Sequence, residues 1–172
     1  GRHMLNTYQA LISHAEGRFG ELVRLFFNRW DLAAVKTLLR GVHCTEEPDD
    51  RLDGLVPGPT LTMPLVRELA QSTTVADLVD RLRAWNPDLC GCLGEHVRAY
   101  RDTGGVAVLE DALDRHYYET TIRELERDHD DNAQVLRRAL QFEVDRLNLR
   151  MLLSDPEADL RRKQARLLPD GA

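Results

Sequence analysis

Apolar residues recur along this chain in steps of three and four, the period of one face of a helix. The first stripe runs Leu5, Tyr8, Ile12, Ala15, Phe19, Leu22, Phe26. Gly17 and Gly20 interrupt it, each costing up to ~1 kcal/mol against Ala in a helix interior, so a bent helix or a tight break is expected there. Asp31 begins or continues a helix ending at Arg40-Gly41, with Gly41 suited to the left-handed cap position. His43–Thr62 is irregular, holding Pro48, Pro57 and Pro59 among Glu46, Glu47, Asp49, Asp50 and Asp53, with room for a short helical turn after Thr45. Thr62 caps a short helix to about Gln71. A second, Thr74–Trp85, is capped by Thr73 or Thr74 and carries Asp77 in its first turn. Asn86-Pro87 restarts the helix, which ends near Thr103 before Gly104-Gly105.

The last third predicts two long helices. Val106–His129 presents Leu109, Leu113, Tyr117, Tyr118, Ile122 and Leu125, and Asp130-Asp131-Asn132 marks a turn. Asn132–Leu153 carries one row through Leu136, Leu140, Val144, Leu147 and Met151, and another through Val135, Ala139, Phe142, Leu149 and Leu152. A band that wide implies contacts on more than one side, and so a helix central to the core. Asp155-Pro156 opens a final helix ending at Leu168-Pro169. No strand-like alternation persists, so the expected fold class is all-α.

The helical pattern also repeats. Asn28–Arg40 recurs in altered form at Phe142–Ser154, matching Asp31 to Asp145, Val35 to Leu149, Lys36 to Arg150, Leu38 to Leu152 and Leu39 to Leu153. Leu55-Val56-Pro57-Gly58 recurs as Leu167-Leu168-Pro169-Asp170. Both echoes sit at an offset of roughly 110 residues, an internal repeat of helical bundle lobes built to stack and bind.

Composition narrows the function. Of 172 residues, 42% are hydrophobic and 30% charged, an ordinary globular mix. No apolar run approaches the ~20 residues of a spanning helix, which argues against direct membrane insertion. A net charge of −6 argues against nucleic acid as partner. The cations are almost all Arg, with only Lys36 and Lys163 as lysines. Cys44, Cys90 and Cys92 are an odd number, read as reduced thiols in a cytoplasmic setting. Gly1-Arg2-His3-Met4 reads as a cleavage scar of expression, and the rest as a segment cut from a longer protein.

Candidate chemistry is thin. Cys90-Gly91-Cys92 with His96 lacks the spacing and fourth ligand of a zinc site; residues two apart on a helix point to different faces. His116-Tyr117-Tyr118-Glu119 could serve acid–base work, but aromatic residues on a stripe usually belong to the core. His14 and His129 read as helix-surface residues and His43 as a loop residue. Glu143 and Asp145 lie two apart, so they suit ion pairing, as of Asp145 with Arg150, rather than a catalytic pair. No phosphate-cradling or nucleophile-elbow motif is present. Catalytic, cofactor and metal residues are therefore all expected to be none.

Four segments in order carry a resemblance: Trp30–Gly41, Leu55–Leu61, Leu113–Glu119 and Leu136–Leu153. Together they resemble the C-type stalk subunit of the A/V-type rotary ATPases, whose eukaryotic counterpart is the d-type subunit. The family pattern looks like D-x-Y-Y-x followed by E-x-D-x-x-N-L-x-x-L-L-R, and Asp114, Tyr117, Tyr118, Glu143, Asp145, Asn148, Leu149, Leu152 and Leu153 occupy those positions. Ser154 stands where the pattern closes on Arg, and Asp114-Arg115-His116-Tyr117 matches loosely. The residues singled out are Asp31, Lys36, Leu39, Arg40, Gly41, Tyr117, Tyr118, Glu143, Asp145, Asn148 and Leu152, in family-motif and structural roles.

The resemblance implies a middle slice of a three-lobed, funnel-like fold: residues 5–62 a first lobe segment, 63–105 its short-helix linker part, and 106–172 the start of a second lobe. It further implies a non-catalytic central-stalk socket, cytoplasmic and peripheral to the membrane, without cofactor. Its partners would be the membrane rotor ring (c- or K-type subunits) and the central shaft (D- and F-type subunits). The competing readings are a generic helical-repeat interaction adaptor and a metal-dependent helical enzyme using Cys90, Cys92 and His96.

Overall fold

The computed structural model describes residues 17–154 and 167–169. The chain divides into two compact units, Gly1–Leu113 and Asp114–Ala172. Every regular element among the described residues is helical, so the all-α class holds.

In the first unit α1 spans Gly17–His43, α2 Met63–Ala70, α3 Val75–Arg81 and α4 Pro87–Thr103. Short 3-10 turns occupy Asp50–Leu52 and Leu82–Ala84. The core is aliphatic: Val35, Leu38 and Leu39 of α1, Val66 and Leu69 of α2, Leu78 of α3 and Leu93 of α4 are all fully buried. α1 packs against both α2 and α3, and α3 against α4. Local signals set the boundaries. Thr74 Oγ1 accepts from the Asp77 N–H (3.1 Å) while Asp77 Oδ2 accepts from the Thr73 N–H (3.1 Å), closing the first turn of α3 from both sides. Asn86 Oδ1 accepts from the Leu89 N–H (2.9 Å) at the start of α4. Gly104, at φ +69°, ends α4 in the left-handed conformation that glycine adopts without strain.

The end of α1 differs from expectation. The helix runs through Gly41 to His43. The left-handed residue is Thr45, at φ +58°. The Thr45 N–H reaches the Val42 carbonyl (3.2 Å) and the Glu46 N–H the Gly41 carbonyl (2.9 Å), the two bonds of a Schellman end. Gly41 serves a different need: a Cβ there would lie 2.7 Å from Arg51 Cγ and 2.8 Å from Glu46 Oε2. Gly20 lies within α1, while Gly17, its first residue, has φ +63°, the left-handed conformation that glycine adopts without strain. The part of the first stripe before Gly17 lies outside the described residues.

α5 spans Ala107–Glu126 and contains the division between the units; α6 spans Asp131–Ser154 in the second unit. Asp130 caps α6, its Oδ1 accepting from the N–H groups of Asn132 (2.9 Å) and Ala133 (3.3 Å). Leu109, Leu113, Tyr117, Tyr118, Ile122 and Leu125 of α5 are buried as the stripe requires. α6 departs from its expected central place. Leu140 and Val144 are fully buried, but Val135, Phe142 and Leu149 of the second row are 68%, 68% and 59% exposed. Apolar width therefore marks two opposite faces, of which one is covered. The final helix expected after Asp155 lies outside the described residues, and Leu167–Pro169 is not helical.

Candidate functional site

The most constrained polar group of the first unit is Asp31, midway along α1 and 1% exposed. It faces the loop Leu55–Leu61. Its Oδ2 accepts from the Thr60 N–H (3.0 Å) and the Thr60 hydroxyl (2.8 Å), and its Oδ1 from the Leu61 N–H (3.0 Å). Thr60 Oγ1 in turn accepts from the indole N–H of Trp85 (3.2 Å). Gly58 lies so close that a Cβ would stand 2.7 Å from Asp31 Cγ. The prolines on either side of Gly58, at positions 57 and 59, restrict the loop before it binds, lowering the entropy lost in closing it. Burial pushes the Asp31 carboxyl above the ordinary range, and the hydrogen bonds from Thr60, Leu61 and Gly58 pull it back. The carboxylate is spent on backbone and hydroxyl donors, so its chemistry is that of a latch.

Two further ties surround the latch. Arg51, within the acidic loop, is buried, and its Nη1 donates to the carbonyls of Ala70 (2.6 Å), the last residue of α2, and of Ser72 (2.7 Å) just beyond it. Its charge also suits the negative end of that helix. Arg40 donates to both carboxylate oxygens of Glu110 (2.5 and 2.8 Å). The acids Glu46, Glu47, Asp49, Asp50 and Asp53 around Arg51 are exposed.

In the second unit Asn148 of α6 makes a reciprocal pair with Leu168. Its Nδ2 donates to the Leu168 carbonyl (2.9 Å), and its Oδ1 accepts from the Leu168 N–H (2.8 Å). Arg115 Nη2 donates to the neighbouring Leu167 carbonyl (3.0 Å). Each unit therefore ties a Pro-containing segment to one of its long helices through a side-chain carbonyl or carboxylate. The residues are not at matched positions: Asp31 aligns with Asp145, one turn before Asn148.

The remaining singled-out residues have structural settings. Leu39 is fully buried, Lys36 half-buried and Arg40 exposed but paired. Tyr117 and Tyr118 are buried with rings edge to face, centroids 5.0 Å apart. Glu143 lies 3.7 Å from Arg146, and Asp145 and Leu152 are half-buried. Cys90 is buried, Cys92 half-buried, and His96 Nδ1 bonds the Cys92 carbonyl one turn back (2.9 Å). All three cysteines are thiols. Among the described residues no group of three His, Cys, Asp or Glu is placed to hold a metal. His43 ends α1 rather than lying in a loop, with its Nδ1 3.1 Å from the Tyr100 hydroxyl; His129 lies between α5 and α6. A cavity of about 350 Å³ beside this pair is also lined by Val42, Val75, Val97 and Arg101. No described helix is long and apolar enough to cross a membrane.

Sequence reasoning missed Arg51 and Thr60. A single Arg among five acids was the available signal for the first. Thr60 had none, because its role depends on which helix position the loop meets.

Comparison with known proteins adds the lineage. The family model of the ATP synthase (C/AC39) subunit matches residues 1–171. The C-type subunit of the A-type ATP synthase of Methanosarcina acetivorans is 28% identical over 148 residues, 86% of this chain and 39% of the relative. Its equivalent in Methanothermobacter thermautotrophicus is 27% identical over 150 residues, 87% of this chain and 38% of the relative. The C-type subunit of the V-type ATP synthase of Deinococcus radiodurans is 29% identical over 147 residues, 86% and 40% respectively. The chain thus spans about two fifths of the length of these relatives. No solved structure matches it. With a match covering essentially its whole length, the chain belongs to the ATP synthase (C/AC39) subunit family.

Proposed function

We propose that this chain is part of a non-catalytic central-stalk subunit of an A/V-type rotary ATPase, a socket between the membrane rotor ring and the central shaft. The observation that carries the reading is the family match along residues 1–171. The mechanics agree with it. A part that passes torque needs stiffness and broad contact faces, and close-packed helices deform little. The latch at Asp31 and the pair at Asn148 each remove freedom from a segment that would otherwise be a loose connection. The half-matched echoes support an origin by duplication, with each lobe carrying its own tether. In this reading the protein is peripheral to the membrane on the cytoplasmic side and contacts c- or K-type ring subunits and D- and F-type shaft subunits.

The test is affinity capture with the purified chain as bait against ring and shaft subunits from the same source. Retention of at least one is the expected result. A folded chain that retains neither, yet captures soluble proteins unrelated to the ATPase, would favour the adaptor reading instead.

A further inference from the structure

The end of α1, the start of α3 and the last turns of α4 surround an open cavity of about 350 Å³, all within the first unit. That volume lies at the small end of ligand pockets, enough for one compact molecule. Its apolar wall is made by Val42 and Val75, both buried, with Val97 half-buried beside them. Filling that wall with an aliphatic group removes apolar surface from water on both sides of the contact.

The polar side carries one fixed charge. Arg40 is held by Glu110 and Arg81 by Asp77, whereas Arg101 makes no ion pair among the described residues. No Asp or Glu is among the described residues that line the cavity. Beside Arg101, His43 Nδ1 stands 3.1 Å from the Tyr100 hydroxyl, and the two rings meet edge to face with centroids 5.8 Å apart. If the hydroxyl donates to Nδ1, the ring keeps a proton on Nε2. If Nδ1 donates, the hydroxyl keeps its own. In both arrangements the pair retains one donor for a further acceptor. A guanidinium and a neutral donor above a wall of valines complement a carboxylate on a short aliphatic chain. A phosphate would bring more charge than one guanidinium balances and would leave the valines unused. We infer that this cavity binds a small branched aliphatic monocarboxylate, with its carboxylate on Arg101 and the His43–Tyr100 pair and its alkyl group on Val42, Val75 and Val97. A free branched-chain acid and the C-terminal Leu or Val of a peptide present this same chemistry. The inference does not rest on the rotary-ATPase reading.

Amide NMR of the whole 172-residue chain during titration with isocaproate tests it. The amides of Val75, Val97 and Arg101 should shift and saturate, with a Kd on the order of 1 mM, the range open to so small a ligand. Isocaproamide, which has the same shape without the charge, should bind about tenfold more weakly. Arg101→Gln, on an exposed side chain, should cost isocaproate about tenfold in affinity. Tyr100→Phe, which keeps the ring, should cost about fivefold. Acetyl-glycyl-leucine distinguishes the two sources: tighter binding than isocaproate assigns the site to a chain terminus, and weaker binding assigns it to a free acid. No saturable shift at these amides up to tens of millimolar isocaproate would overturn the inference. Equal affinity for isocaproate and isocaproamide would also overturn it, as would equal affinity of the parent and Arg101→Gln for isocaproate.

Discussion

Replacing Asp31 with Ala should destabilise the first unit by about 2–4 kcal/mol. The change removes the acceptor for the N–H groups of Gly58, Thr60 and Leu61 and for the Thr60 hydroxyl. Leu61 is 1% exposed, so water cannot replace the lost acceptor at its N–H. A buried donor left unsatisfied costs about 1–3 kcal/mol, and bonds to charged groups lie at the upper end. Against this stands relief of the burial penalty that raises the Asp31 carboxyl. The stranded amides less that relief leave the stated range. Both tryptophans, Trp30 and Trp85, lie in the first unit, and Trp85 touches Thr60 directly. Urea unfolding followed by tryptophan emission therefore reads this unit alone, and amide exchange at Thr60 and Leu61 reads the latch itself. A loss below about 0.5 kcal/mol, with both amides exchanging as slowly as in the parent, would refute the reasoning, because surface substitutions alone fall in that range.

The other predictions concern the same tethers. Because the Asp31 carboxyl is held above its ordinary value of 3.8, its protonated form is favoured by the fold. Its contribution to stability is full below that value and falls as pH rises through the folded-state value. The stability of the parent relative to Asp31→Asn should thus improve as pH is lowered from neutrality into that window; a pH-independent difference would contradict the assignment. Gly58→Ala should cost about 1–3 kcal/mol in the same urea assay, since the new methyl meets Asp31 at 2.7 Å and must lift the loop; unchanged stability would show the loop free to yield. Arg51→Met keeps the apolar stem but strands the Ala70 and Ser72 carbonyls, with an expected loss of about 2–3 kcal/mol by urea titration. Asn148→Ala should speed amide exchange at Leu168 at least tenfold while leaving tryptophan emission unchanged, because it acts in the other unit.

The helices of this protein were legible in its sequence because a helix is decided within a few residues of itself. Thr74 with Asp77, Asn86 before Pro87, and Gly104 after Thr103 each satisfy or end a turn using neighbours no more than four positions away. The apolar steps of three and four placed Leu109, Leu113, Tyr117 and Ile122 inside for the same reason. The partners of Asp31, Arg51 and Asn148 lie some 20 to 30 residues away, and no local period encodes such closures. Local chemistry nominated Gly41 as the cap, but the helix runs past it and Thr45 turns the chain; only the approach of Arg51 shows why position 41 has no room for a side chain. Period alone could show that α6 carries apolar residues on two sides. Only the tertiary structure decided which side is covered, since burial depends on the neighbours a face meets, and those are set by the path of the whole chain.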